Sequence, residues 1–231
     1  MKCEREIEMN KILLDSTISY DKEGIYKQEL EKDTVININN SNIKLYLLTK
    51  ESIKIIININ SEVEIYNFTT TNLDLTLNLL KNAKVKFYQM TITDKRIKNI
   101  ITATHQYQET ISNLICNGIS YGNGNLSFIV NGIIKKGNIN SICNQTSRII
   151  NIDGGKSLIE PNLFIDEYDS LANHSAYTGP FDEKTLFYLE SKGIKEEEAF
   201  KLLLKGLFKK ETLPKDYEEI IDQILIKALR R

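Results

Sequence analysis

Ile53-Lys54-Ile55-Ile56-Ile57-Asn58-Ile59, followed by Leu73-Asp74-Leu75-Thr76-Leu77-Asn78-Leu79, decides the fold class of this chain. Apolar residues fall on every second position. That period is the mark of a β-strand with one buried face. The same alternation runs through Ile36 and Ile38, through Ile43, Leu45 and Leu47, through Val63 and Ile65, and into Val85 and Phe87. Ile, Val, Thr, Tyr and Phe dominate, as a pleated, half-buried surface favours.

The spacing carries further than the alternation. Strand starts are expected near Val35, Ile43, Ile53, Val63, Leu73 and Val85, a step of roughly ten residues. The links between them are short, polar and alike: Asn39-Asn40-Ser41-Asn42, Thr49-Lys50-Glu51-Ser52, Thr69-Thr70-Thr71-Asn72. Two-residue Asn-Gly or Asp-Gly hairpin turns are missing from this stretch. A stack of equivalent coils, a β-solenoid, fits best, because stacking buries a column that no single coil could bury. A sandwich is the competing arrangement. From Thr91 to Asn125 the pattern loosens around Gly118, Gly122 and Gly124. Strand character returns at Leu126–Val130, Ser147–Ile150 and Asn162–Ile165.

After Gly179-Pro180 the period changes to that of helices. Asp182 reads as an N-cap, Phe181 as a staple onto Leu186, and Gly193 as the residue just past the helix end. A second helix carries Ala199, Leu203 and Leu207 on one row and Phe200, Leu204 and Phe208 on the next. That face is too wide to be free. A third helix is expected after Pro214, with Tyr217, Ile220, Ile221, Ile224, Leu225, Ala228 and Leu229 on one side. The chain therefore divides into an N-terminal lead-in segment (1–33), a β core (34–180) and a C-terminal helical domain (181–231). The helices are expected to cap the open end of the β core or to present a docking surface.

Composition narrows the function. Thirty Lys+Arg against 31 Asp+Glu leave a net charge of −1, which argues against a general nucleic-acid binder. Met1–Glu6 is charged and does not begin like a secretory signal, and no apolar run approaches the ~20 residues that span a bilayer. Cys3, Cys116 and Cys143 are an odd, sparse set, unlike a disulfide framework. These features suit a cytoplasmic chain that needs no membrane. Gly154-Gly155-Lys156-Ser157 lacks the upstream glycine of a phosphate loop, and no His-Glu-x-x-His or Cys-x-x-Cys occurs. His105 and His174 read first as structural or exposed residues, and Cys116 and Cys143 first as small hydrophobes. Their alternative role is as ligands for iron or an iron–sulfur cluster. Glu160, beside Pro161, is a candidate acid or ligand. Asp166 and Asp169 are the carboxylate pair that a carbohydrate-active β-helix enzyme would need. The absence of Trp and of a leader counts against that chemistry.

Pro161-Asn162-Leu163-Phe164-Ile165-Asp166, then Asn173-His174-Ser175-Ala176-Tyr177-Thr178-Gly179, then Leu186-Phe187-Tyr188-Leu189-Glu190-Ser191-Lys192-Gly193-Ile194 and Glu197-Glu198-Ala199, follow one another in an order and spacing that resembles the SufB/SufD family. These are the scaffold proteins of SUF iron–sulfur cluster assembly. Asn117-Gly118-Ile119-Ser120 and Asn131-Gly132 also sit where the family has similar residues. The resemblance runs from about His105 to Phe208.

The resemblance implies a right-handed parallel β-helix followed by a small α-helical domain. It implies a non-enzymatic scaffold that handles a transient iron–sulfur cluster or iron at a dimer interface, with itself or with a SufB/SufD paralogue. It implies a SufC-like ABC ATPase as partner, docked on helices that carry Phe187, Tyr188, Leu189, Ala199, Leu203 and Leu207. ATP-driven movement would then expose the dimer interface. His174 falls on the position whose histidine contributes to the assembly site in SufD-type chains. Gly155 stands where SufB-type chains have a cysteine, and Ser175 where they tend to have Glu. These departures place the chain nearer SufD. They leave two readings of the same family role: a cluster-handling subunit, or a paralogue that only dimerises and docks.

Overall fold

The computed structural model describes residues 16–208 and, beyond them, Lys215, Glu218, Glu219, Asp222, Gln223 and Ile226. Fourteen strands come first: β1 (Ser16–Tyr20), β2 (Gly24–Leu30), β3 (Thr34–Ile38), β4 (Ile43–Thr49), β5 (Ile53–Ile59), β6 (Glu62–Thr69), β7 (Leu73–Leu79), β8 (Lys84–Thr93), β9 (Arg96–His105), β10 (Ile111–Tyr121), β11 (Asn125–Ile134), β12 (Ile142–Ile152), β13 (Lys156–Ile165) and β14 (Leu171–Gly179). Two helices follow, α1 (Glu183–Ser191) and α2 (Glu196–Phe208). No helix among the described residues is long and apolar enough to cross a membrane.

The odd-numbered strands form one seven-stranded sheet and the even-numbered strands another. Each strand pairs with the one two ahead, and every pairing is parallel. The chain thus changes sheet at every link. This explains why the links resemble one another and lack hairpin turns: none of them joins hydrogen-bonded neighbours. The expected strand starts from Val35 to Val85 fall within one residue of the observed ones.

The step between paired strands lengthens along the chain, from 18 residues (16 to 34) to 31 (125 to 156). Strands grow with it, from five residues in β1 to eleven in β10 and β12. The loosened pattern after Thr91 reflects these longer strands. The sheets also begin before Thr34. β1 and β2 lie inside the segment set apart as a lead-in, and they pair with β3 and β4. Their faces are only partly covered, so polar residues blur the alternation there.

Side chains facing between the sheets build the main core. Ile36, Ile57, Leu75, Ile101 and Phe128 come from the odd sheet, and Leu45, Ile65, Phe87, Leu114 and Cys116 from the even sheet. A polar thread runs inside it. Thr49 donates to Asn67 (2.9 Å), Asn67 to Gln89 (2.9 Å), and Gln89 to Thr91 (3.0 Å), which also accepts from Asn99 (2.7 Å). These bonds offset much of the cost of burying the thread, although the Asn99 Oδ1 is buried without a partner among the described residues.

Outward-facing residues of the even sheet make a second core. Tyr46, Tyr66 and Tyr88 share one register and stack with centroids 4.9 and 4.6 Å apart, close to the strand spacing. Phe68, Met90, Ile119 and Ile150 continue this face, and Phe181, Leu204 and Leu207 from the helical region pack on it. The helices therefore cover the side of the even sheet. They do not close the open end of the stack, where β13 and β14 are outermost.

The first helix forms as its ends dictate. Asp182 caps it, accepting from the Lys184 N–H (3.4 Å). Gly193 follows at φ +83, where a side chain would be strained. The Gly193 N–H reaches the Glu190 carbonyl and the Ile194 N–H that of Leu189, the paired bonds of a Schellman ending. The third expected helix falls mostly outside the described residues. Those described there are helical, and Asp222 accepts from Lys205 on α2 (2.9 Å).

Candidate functional site

The last two strands leave an edge of each sheet without a neighbour among the described strands. Along them Leu158 and Phe164 of β13 and Leu171 and Tyr177 of β14 are exposed. On β13, Leu158 and Phe164 alternate with Ile159, Leu163 and Ile165, so both of its faces are apolar. That double pattern was legible in Lys156–Ile165 and marks a strand that lacks an ordinary solvent face.

His174 sits in the middle of β14, in register with Gln145 of β12, which is in register with Leu114 of β10. Those two residues are buried inward-facing groups. His174 thus stands at the top of an inner column and is exposed, with no further strand over it among the described residues. Beneath it, Gln145 donates to the Asn162 carbonyl of β13 (3.1 Å), bridging the two sheets at their end. The Gln145 Oε1 is buried without a partner. Cys143 lies two residues before Gln145, opposite Ala172.

The other expected ligands lie apart from His174. Glu160 is exposed on the outer face of β13, opposite Ile129. Cys116 and Cys143 are fully buried between the sheets. Burial pushes the Cys116 thiol up to about 12, against a smaller lowering by the neighbouring Ser147 side chain. Burial raises the Cys143 thiol too, offset in part by Ser112 and Gln145. Both thiols are protonated at neutral pH, not thiolates. His105 is buried in β9, with Nδ1 2.8 Å from Thr110 Oγ1 and Nε2 2.9 Å from Ser112 Oγ. Because Thr110 donates to the Tyr107 carbonyl, it accepts from Nδ1–H, and Nε2 accepts from Ser112. Burial pushes the His105 pKa down to about 4. No group of three or more His, Cys, Asp and Glu residues placed to hold a metal ion occurs among the described residues.

Asp166 and Asp169 are exposed in the link from β13 to β14, where Glu167 accepts from the Gly137 and Asp169 N–H groups. Gly118-Ile119-Ser120-Tyr121-Gly122 spells the Gly-x-Ser-x-Gly of a nucleophile elbow. Ser120 is fully buried in β10, and a turn and another strand follow it, so the strand–turn–helix that exposes such a serine is absent.

The docking residues divide. Phe187 (72% exposed) and Tyr188 (60%) face outward, and Leu189 is half-buried. Ala199 and Leu207 are buried, and Leu203 is half-buried against the second core. Leu202, which sequence periodicity did not single out, is exposed.

The chain belongs to the family described as SUF system FeS cluster assembly, SufBD core domain, whose pattern covers residues 29–207. It is 42% identical over 71 residues to an iron–sulfur cluster assembly SufBD family protein of Mycobacterium leprae, covering 30% of this chain and 16% of that protein. It is 39% identical over 83 residues to the iron–sulfur cluster assembly protein SufD of Bacillus subtilis, covering 35% and 19%. It is 28% identical over 153 residues to a SufBD family protein of Synechocystis, covering 62% and 31%. The matched stretches therefore span well under half of these relatives.

Proposed function

We propose that this chain is a non-catalytic scaffold subunit of SUF-type iron–sulfur cluster assembly, built as a right-handed parallel β-helix. The observation that carries the reading is the open end at β13 and β14. It offers unpaired strand edges, exposed apolar side chains and His174 together, in a chain whose family pattern is that of cluster assembly. Unpaired edges of this kind recruit another strand. A second copy or a SufB/SufD paralogue would cover the end and complete the ligand set around His174, with the nascent cluster as cargo. The exposed Phe187, Tyr188 and Leu202 are the docking surface for a SufC-like ABC ATPase.

Two experiments test this. The chain is expected to copurify with the ATPase, and Phe187→Asp with Tyr188→Asp to abolish it without loss of helicity. Undiminished capture would refute the docking reading. Anaerobic reconstitution with the ATPase and a paralogue is expected to give iron–sulfur absorption that falls with His174→Ala. No absorption in either chain favours the second reading, a paralogue that dimerises and docks without handling the cluster. The burial of both described thiols supports that alternative.

A further inference from the structure

Arg148 projects from the outer face of β12, between two aromatic rings. Its guanidinium carbon lies 5.2 Å from the Tyr177 centroid and 5.7 Å from that of Phe181. The rings hold it by cation–π attraction. They cannot accept a conventional hydrogen bond, and the Arg148 Nε–H is buried with no partner among the described residues. A buried guanidinium donor left unpaired is costly. Beside it lies a cavity of about 440 Å³, between β10 and β12 on one side and α1 and α2 on the other. Ile115, Leu203 and Leu207 supply apolar wall.

The acid in the cavity lining is committed elsewhere. Asp182 lines the same cavity, but its oxygens accept from the Lys184 N–H and the Thr185 hydroxyl at the start of α1. It also sets the valence of what can enter. One cation facing one committed carboxylate favours a monoanion over a phosphate dianion. The apolar wall favours a hydrocarbon body behind the charge.

We propose that this cavity binds a small monocarboxylate, whose oxygen accepts the Arg148 Nε–H while its apolar body lies against Ile115, Leu203 and Leu207. The site adjoins the open end through Tyr177 but does not include His174, and its test needs neither iron nor an ATPase. Failure here therefore leaves the assembly reading untouched.

Sodium octanoate is the probe and 1-octanol its uncharged control. The readout is the Arg148 Nε–H cross-peak in a nitrogen–proton correlation spectrum, assigned by its loss in Arg148→Met. Octanoate is expected to shift that peak saturably, with an apparent Kd at or below about 1 mM. Octanol is expected to bind about tenfold more weakly, for want of the charge-assisted bond. Calorimetry is expected to show about tenfold weaker binding in Arg148→Met and in Gly206→Leu. The latter adds bulk to the cavity wall at a helical glycine whose Cβ position is open. If Arg148→Met fails to fold, Gly206→Leu and the octanol comparison decide. Absence of saturable binding, equal binding of octanol, or affinity unchanged in the folded variants would overturn the proposal.

Discussion

Lowering pH from 7.5 to 5 should destabilise this protein through His105, and His105→Gln should remove that part of the effect. The ring is buried, both nitrogens are hydrogen-bonded, and its pKa is about 4 in the folded chain against 6.5 unfolded. Above pH 6.5 the imidazole is neutral in both states and contributes no pH dependence. Between 6.5 and 4 the unfolded chain takes up a proton that the folded chain refuses, so stability falls as pH falls. Below about 4 both states are protonated and the loss levels off. The full window is worth about 3 kcal/mol, at about 1.36 kcal/mol per pH unit. Some 2 kcal/mol of it is lost by pH 5. Urea unfolding followed by circular dichroism at each pH gives the stabilities. His105→Gln costs stability at pH 7.5 by loosening the Thr110 and Ser112 bonds. The gap between the two chains should then close by about 2 kcal/mol at pH 5. Carboxylates and His174 are common to both chains and cancel. A gap that stays constant with pH would refute the account.

Tyr66→Ala removes the middle ring of the Tyr46–Tyr66–Tyr88 stack, where Tyr66 is 3% exposed, and should cost about 3–5 kcal/mol in urea unfolding. Gly155→Ala places a Cβ 2.1 Å from the Ser120 carbonyl oxygen and should cost about 1–3 kcal/mol or more. Gly206→Ala meets nothing within 4 Å and should gain up to about 1 kcal/mol, so the two alanine variants should move the thermal midpoint in opposite directions. With Cys3 replaced by Ser, Cys116 and Cys143 should react with a disulfide reagent at pH 8 only after denaturation, because both are buried and protonated. Rapid labelling of the native chain would contradict that.

Alternation made the strands from Thr34 to Phe87 legible, because one buried face writes itself into every second residue. It does not record which strand lies beside which, so the partition into odd and even sheets emerges only in the structure. β1 and β2 escaped because their faces are half-covered: β1 keeps Ser and Thr, and β2 keeps Lys, Gln and Glu. The helix ends were legible from Asp182 and Gly193, whose roles are local. The surface under α2 was not. A wide apolar face demands a partner but does not name it, so Ala199, Leu203 and Leu207 fitted docking as well as packing. At the candidate site His174 was legible through its motif. The burial of Cys116, Cys143 and His105 depends on cross-strand neighbours tens of residues away. Arg148 carries no local signal, since both of its rings come from later in the chain.

The two-ahead pairing also bears on synthesis. Each strand finds its neighbour within about thirty residues, as Ile53 finds Leu73 and Ile111 finds Ile142. A growing chain can therefore lay each new strand on one already in place, while later residues are still inside the ribosome. At roughly 5–20 residues per second, one such addition takes a few seconds. Among the described strands, the newest pair of edges is open at each moment, together with the outer edges of β1 and β2 at the opposite end. One end of the exposed β-edges is thus a moving front, and it comes to rest at β13 and β14, where Leu158, Phe164, Leu171 and Tyr177 are exposed.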